Sequence, residues 1–170
     1  MQEIYSEFVR KILQNKKKLE QALAIKITNK GKIVFVKGKP EQEFIAIQII
    51  EAMNLGFTAE QALLLQDEEF IFEKINIKDL TKRHDLERIR GRIIGTRGKT
   101  KEIIQNLSGC FISLHDNTVG IIGRAEDIEK AIQAIKSIIQ GSKQSKVYSS
   151  LERERSKEKA KMGEDLGLKK

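Results

Sequence analysis

The sequence predicts an α+β protein made of two tandem units of β-α-α-β-β-α order. The first unit is degenerate, and a charged C-terminal helix or tail follows the second. Three observations carry this reading. Residues 34–50 and 119–135 repeat at an offset of 85, residues 70–77 alternate apolar and polar side chains before the spacing turns helical, and a Gly-x-x-Gly turn lies between two short helical stretches of the second copy.

In the repeat, Val34 aligns with Val119, Gly38 with Gly123, Glu41 with Glu126, Ala46 with Ala131, Gln48 with Gln133 and Ile50 with Ile135. Each copy reads as a short strand, a glycine turn and a helix. Another strand precedes each, over 24–28 and 110–115. Asn29-Lys30-Gly31 and Asp116-Asn117 supply the hairpin turns between them. Two copies of one small unit fit this better than a solenoid, which needs more repeats.

The second copy is the fuller one. Phe70, Phe72, Ile75 and Ile77 alternate with charged residues, so 70–77 is a strand with one slip of register. A short helix is expected over 82–89, followed by Gly91-Arg92-Ile93-Ile94-Gly95-Thr96-Arg97-Gly98. Ile103, Ile104 and Leu107 share one face of a helix over 99–107, and a hairpin covers 110–123. In the last helix, over 125–139, Ile128, Ile132, Ile135 and Ile139 recur every three or four residues, so one face is buried.

The first copy has only a few residues for its opening strand. At the loop position stands Gln14-Asn15-Lys16-Lys17, without glycine, followed by a short helix over 18–23. The resulting division is 1–56 for the first unit, 57–69 for a connecting helix, 70–141 for the second unit and 142–170 for the tail. Thr58 with Gln61 forms a capping box at the start of the connector. Residues 152–161 are mainly Glu, Arg and Lys and lack a large apolar side chain. They form a solvated helix or a disordered tail.

The formal net charge is +8 and the pI about 9.5, which favours polyanionic partners. The charge is segregated as well. Residues 82–101 hold eight Lys/Arg against Asp85 and Glu87, whereas 51–73 hold six Asp/Glu and no Lys or Arg. The single cysteine, Cys110, excludes an internal disulfide framework. No cationic start followed by an apolar run marks a signal peptide, and no apolar stretch approaches the ~20 residues of a spanning helix. A cytoplasmic protein without membrane contact is expected.

A Gly-x-x-Gly turn between helices lets the backbone lie against a nucleic-acid strand, because each glycine lacks the Cβ that would block approach. The next helix, from Lys99, turns free N–H groups and its positive dipole end toward phosphates. Gly95, Thr96, Arg97 and Gly98 form this turn, with Arg92, Lys99 and Lys101 adding charge and Arg90 nearby. Ile93, Ile94, Ile103, Ile112 and Leu114 are the expected apolar floor of a groove for bases, and also serve as core. Alone, the four-residue motif is weak; its place between two helices of a β-α-α-β-β-α unit makes it specific.

No enzyme, metal site or cofactor is expected. His84 and His115 have no neighbours at metal-ligand spacing, Cys110 sits in a strand beside Phe111, and no phosphate-binding Gly-x-x-x-x-Gly-Lys-Ser/Thr occurs.

Residues 70–141 resemble a type I KH domain. The whole chain resembles the partner-of-Nob family of two-KH ribosome-biogenesis proteins, in its single-chain archaeal form. Three features carry the likeness: the spacing of the two units, the linker Gly56-Phe57-Thr58-Ala59-Glu60-Gln61-Ala62-Leu63, and Ser145-Lys146-Val147-Tyr148 after the second unit. It covers roughly residues 1–155. The resemblance implies a single-stranded RNA partner at the 3′ region of small-subunit rRNA precursor. It also implies work with the endonuclease that matures that end, and with other ribosome assembly or translation factors. The first copy departs from the pattern. Its Arg10, Lys11, Lys16, Lys17 and Lys18 either touch phosphate nonspecifically or form a solvated face, and the copy itself is structural or protein-facing. A KH regulator of mRNA or translation, and a protein-interaction scaffold with secondary RNA contacts, are the competing functions.

Overall fold

Two three-stranded antiparallel sheets with the same strand order organise the chain, and helices cover them. The structure is a computed structural model and describes residues 1–165. The first unit comprises β1 (Gln2–Tyr5), α1 (Val9–Gln14), α2 (Lys16–Leu23), β2 (Lys26–Lys30), β3 (Ile33–Lys37) and α3 (Pro40–Asn54). A connector, α4 (Ala59–Leu63), ends in a 3₁₀ turn. The second unit follows with β4 (Phe70–Asn76), a one-turn helix α5 (Ile77–Leu80), α6 (Leu86–Ile94), α7 (Lys99–Ser108), β5 (Phe111–His115), β6 (Thr118–Arg124) and α8 (Ala125–Ile139). The last helix is α9 (Gln144–Asp165).

The sheet orders are β1-β3-β2 and β4-β6-β5, so the repeated strand, β3 or β6, is central in both. The registers pair Val34 with Ile4 and Asn29 in one sheet, and Val119 with Ile75 and Leu114 in the other. The α+β class and the duplicated β-α-α-β-β-α order expected from the repeat are therefore present.

The central strands differ in how they are buried. Along β3 burial alternates, with Val34 and Val36 inside and Ile33 and Lys37 exposed. Along β6 every residue from Val119 to Gly123 is buried. Val119 and Ile121 face their own helices, α6 to α8. Ile122 turns the other way and joins the core of the first unit, where Phe70 and Phe72 also pack. The back of the second sheet thus rests on the corner between α3 and α4. Gly120 makes this fit possible: a Cβ there would come within 2.8 Å of the Phe57 ring and 2.9 Å of Leu55. Around this contact, Ser113 Oγ donates to Leu55 O at 2.6 Å and Lys11 Nζ to Phe57 O at 2.7 Å. The Phe8 and His115 rings meet edge-on at 5.2 Å.

Several expected boundaries shift for physical reasons. No loop exists at residues 14–17, because α1 and α2 abut with Asn15 alone between them, its Nδ2 donating to Lys11 O. Ala24 adopts a left-handed φ of 54° and ends α2, which delays β2 to residue 26. The helix expected over 82–89 forms instead at Leu86–Ile94 and contains Gly91. A glycine inside a helix costs about 1 kcal/mol, and burial of both Ile89 and Ile93, four residues apart on one face, offsets it.

The segment after 141 is helical from Gln144 to Asp165, and its first turns are packed rather than a free tail. Val147 and Leu151 are buried in the second core, and only beyond them is α9 exposed on all sides through residue 162. Among the described residues, no helix is long and apolar enough to cross a membrane.

Candidate nucleic-acid interface

The turn between α6 and α7 holds the most unusual backbone of the chain. Gly95 has φ 77° and ψ 175°, a region open essentially to glycine alone. Arg97 and Gly98 both have positive φ, at 56° and 75°. The Gly98 N–H donates to Gly95 O at 3.2 Å and closes the turn.

The two glycines serve different ends. A Cβ on Gly95 would sit 2.2 Å from Thr100 Oγ1 and 2.7 Å from Thr100 N, so its absence lets the turn fold onto α7. A Cβ on Gly98 would meet nothing within 4 Å, so the space beside it is open to an incoming strand. No side chain caps the first turn of α7; the Lys99 N–H is taken by Thr96 O, and the N–H groups that follow it carry no side-chain cap.

Thr96, Arg97 and Lys99 are exposed, Gly95, Gly98 and Lys101 half-buried. Arg97, Lys99 and Lys101 form no ion pair among the described residues, so their charge is unspent. Ile94 closes α6 at 38% exposure, beside the turn.

Other expected site residues also serve the fold, although Arg92 and Ile103 line the pocket beside Gly95 and Thr96. Arg92 is committed to the fold: its Nη1 donates to Ile138 O at 3.0 Å and its Nη2 to Ser142 O, tying α6 to the α8–α9 connection. Ile93 and Ile112, at 1% and 2% exposure, belong to the core and lie beneath any groove rather than on its floor. Both point inward because their neighbours in the sequence, Ile94 and Phe111, take the outward positions. Ile103 is half-buried but lines a 340 Å³ pocket between the turn and α9, with Gly91, Lys99, Gln144 and Tyr148. Leu114 is half-buried on β5.

Sequence reasoning missed the support behind the turn. Thr100, at 4% exposure, accepts hydrogen bonds from Tyr148 Oη at 3.0 Å and Gln144 Nε2 at 3.2 Å. Gln144 Nε2 also donates to Arg92 O. The start of α9 therefore braces the residue on which Gly95 rests. Ser145-Lys146-Val147-Tyr148 carried the signal, since Tyr148 makes one of these contacts and Val147 seats α9 in the second core. Gln105 was also missed. Its Oε1 accepts from the Ile112 N–H at 2.8 Å on the outer edge of β5. Arg90 Nη1 reaches the β5–β6 turn, donating to Asp116 O at 3.2 Å.

Burial pushes the Cys110 thiol up to about 11, which leaves it a packed side chain without nucleophilic character at neutral pH. The described residues contain no group of three or more His, Cys, Asp or Glu able to hold a metal ion.

Comparison with known proteins adds three likenesses and one family match. A family model described as "Eukaryotic type KH-domain (KH-domain type I)" of PNO1 matches residues 71–156. A KH domain-containing protein of Methanocaldococcus jannaschii is 33% identical over 149 residues, covering 84% of this chain and 66% of its own length. A pre-rRNA-processing protein PNO1 of Candida glabrata is 42% identical over 106 residues, covering 60% of this chain and 40% of its own. The chain thus spans less than two thirds of these relatives. A chain in the crystal structure of the a/eIF2alpha-aDim2p-rRNA complex from Pyrococcus horikoshii superposes with a TM-score of 0.82 at 32% identity, over 92% of this chain and 94% of that one.

Proposed function

This chain belongs to the PNO1/Dim2 family of KH-domain proteins, and from that premise we propose that it binds single-stranded RNA as a non-catalytic ribosome assembly factor. The RNA is the 3′ region of small-subunit rRNA precursor. The observation that carries the reading is the Gly95–Gly98 turn: open space beside Gly98, an uncapped α7 N-terminus and three uncommitted cations within seven residues.

Phosphates lie against Thr96, Arg97 and Gly98, and Lys99 and Lys101 neutralise their neighbours. Bases turn toward Ile94 and the outer edge of β5 near Leu114. Free base edges are needed there, so a single strand binds and a duplex does not. The rRNA in the complex that contains the P. horikoshii neighbour and the pre-rRNA-processing name of the yeast relative support the choice of RNA. The a/eIF2alpha of that complex supports a translation-factor partner, and the endonuclease that matures the 3′ end is a further one. A cytoplasmic location is part of this proposal.

Footprinting on isolated small-subunit precursor tests it. Protection should fall in unpaired residues near the 3′ end and vanish when Thr96 and Arg97 are both changed to Asp. Protection spread over duplex regions, or unchanged by the double substitution, would overturn the reading.

A further inference from the structure

The Gly95–Gly98 turn has a second side. On α7, Thr100 is bonded to Tyr148 of α9, and Gln105 to the edge of β5. Their spacing along the helix puts these two contacts on opposite faces of α7. The face toward β5 serves the bases. On the face toward α9 the turn borders a pocket of 340 Å³, at the lower end of the size range of ligand sites.

Gly91 sets this pocket apart from a gap in packing. It lies inside α6, where alanine is the better helix former. It is exposed, and a Cβ there would meet nothing within 4 Å, so no neighbour forbids a side chain. Nor does the backbone require glycine, since Gly91 is not among the residues of positive φ. What the missing side chain leaves open is the pocket, which Gly91 lines.

The groups around the pocket are those of a nucleotide site. Arg92 and Lys99 line it, and among the described residues no carboxylate does. Neither cation forms an ion pair among those residues. The bonds from Arg92 to Ile138 O and Ser142 O fix its guanidinium without cancelling the charge. Gln144 turns Nε2 to Arg92 O, an atom that only accepts, which leaves Gln144 Oε1 as an acceptor without a partner among the described residues. Ile103 and the Tyr148 ring, both half-buried, supply an apolar wall. Cations suit a phosphate, the acceptor a ribose hydroxyl or base N–H, and the wall a sugar or base.

We propose that this pocket takes one flanking nucleotide of the RNA strand that crosses the turn. Its phosphate lies between Arg92 and Lys99, and its sugar or base lies against Tyr148. The inference rests on the RNA reading of the same turn and extends that site by one nucleotide on the side away from β5. A free mononucleotide offers the same chemistry, so the test separates the two sources.

Fluorescence anisotropy with the full chain provides it. The first probe is a labelled single strand of about four nucleotides, the span a Gly-x-x-Gly loop clamps. The others are the same strand lengthened by one nucleotide at the 5′ or the 3′ end. Lengthening at one end should tighten binding about ten-fold, and at the other far less. Gly91→Leu fills the pocket. It should abolish that gain, leave the affinity for the shorter strand unchanged and not lower the melting temperature, because leucine favours the helix. Gly91→Ala adds one methyl and should keep the gain. Equal gains at both ends, or a gain that survives Gly91→Leu, would overturn the proposal. So would tight binding of adenosine 5′-monophosphate without RNA, lost in Gly91→Leu, which would make the pocket a site for a free nucleotide. Failure of the shorter strand to bind at all, or its indifference to T96D/R97D, would overturn the RNA reading and this inference with it.

Discussion

In the first unit one residue, Asn15, joins the first two helices; in the second, the Gly95–Gly98 turn does. The sheets on which these helices rest have the same strand order and comparable register, so the difference is local. Asn15 has ordinary backbone angles and turns its side chain back onto Lys11 O. The glycine turn holds three residues at positive φ and leaves the next helix uncapped. A duplicated scaffold can therefore keep its packing in both copies and place anion-binding backbone in only one. The copy without the turn supplies the surface on which the other sheet rests.

Reversing the charge of the turn should break the comparison most completely. With Thr96 and Arg97 both changed to Asp, each lost charge-assisted contact costs roughly 1.5–3 kcal/mol. RNA affinity should fall on the order of a hundred-fold. Both side chains are exposed, so the thermal transition should not move. Titration of a labelled single strand, with a melting curve alongside, measures both.

The two glycines should separate in a finer experiment. Gly95→Ala drives a methyl into Thr100 and holds Ala in a glycine-only region, a combined cost of about 2–4 kcal/mol that a melting curve would detect. Gly98→Ala faces open space and should cost about 1 kcal/mol, while still weakening RNA. Equal losses of stability would mean that the turn is not seated on Thr100.

Changing Lys16, Lys17 and Lys18 to Ala asks whether the first unit reads anything. A modest loss at every RNA sequence is expected, since these lysines can act only as charge. The log–log slope of affinity against salt should become shallower by about 0.7 for each phosphate contact removed. Loss of sequence discrimination in this variant would move the reading role to the first unit.

The smallest effect concerns an anchor found in one unit only. Glu43 aligns with Ile128 in the repeat. It accepts from the Gly38 N–H, and this bond, then the terminal ammonium 3.1 Å away, hold its carboxyl below the usual range. The folded-state value is lowered, so the stability it adds is present above the ordinary carboxylate range. That stability is lost as pH falls through the lowered value. Urea midpoints measured from about pH 6 to about pH 3 should decline less steeply in Glu43→Gln.

The duplication was legible because Val, Gly and Ala recur at fixed places in two strand-turn-helix segments. Those residues answer to close packing, and close packing leaves a pattern. The end of α6 was not legible. Gly91 reads as a breaker, and only the shared burial of Ile89 and Ile93 shows why the helix continues through it. At the site, the turn was visible as a motif, but the structural use of Arg92 was not. Its guanidinium donates to the carbonyls of Ile138 and Ser142, contacts 46 and 50 residues away in the chain, while the residue still lines the pocket beside Gly95 and Thr96. The sequence likewise cannot tell that of two adjacent isoleucines, Ile93 is sealed inside and Ile94 is not. The brace from Gln144 and Tyr148 spans more than forty residues of chain, a distance that local pattern does not cross.

The packing of α9 sets the limits within which the second unit can be moved as a module. A fragment ending at Gly141 would keep every strand and helix of the β-α-α-β-β-α unit. It would nonetheless uncover the core that Val147 and Leu151 close, and leave Arg92 and Thr100 without their outer partners. Its other boundary is no cleaner, because Gly120 and Ile122 are shaped to the side chains of Leu55 and Phe57. For grafting or domain exchange, the portable piece begins at the α3–α4 corner and ends within α9, some ten residues past the formal unit at its C-terminal side.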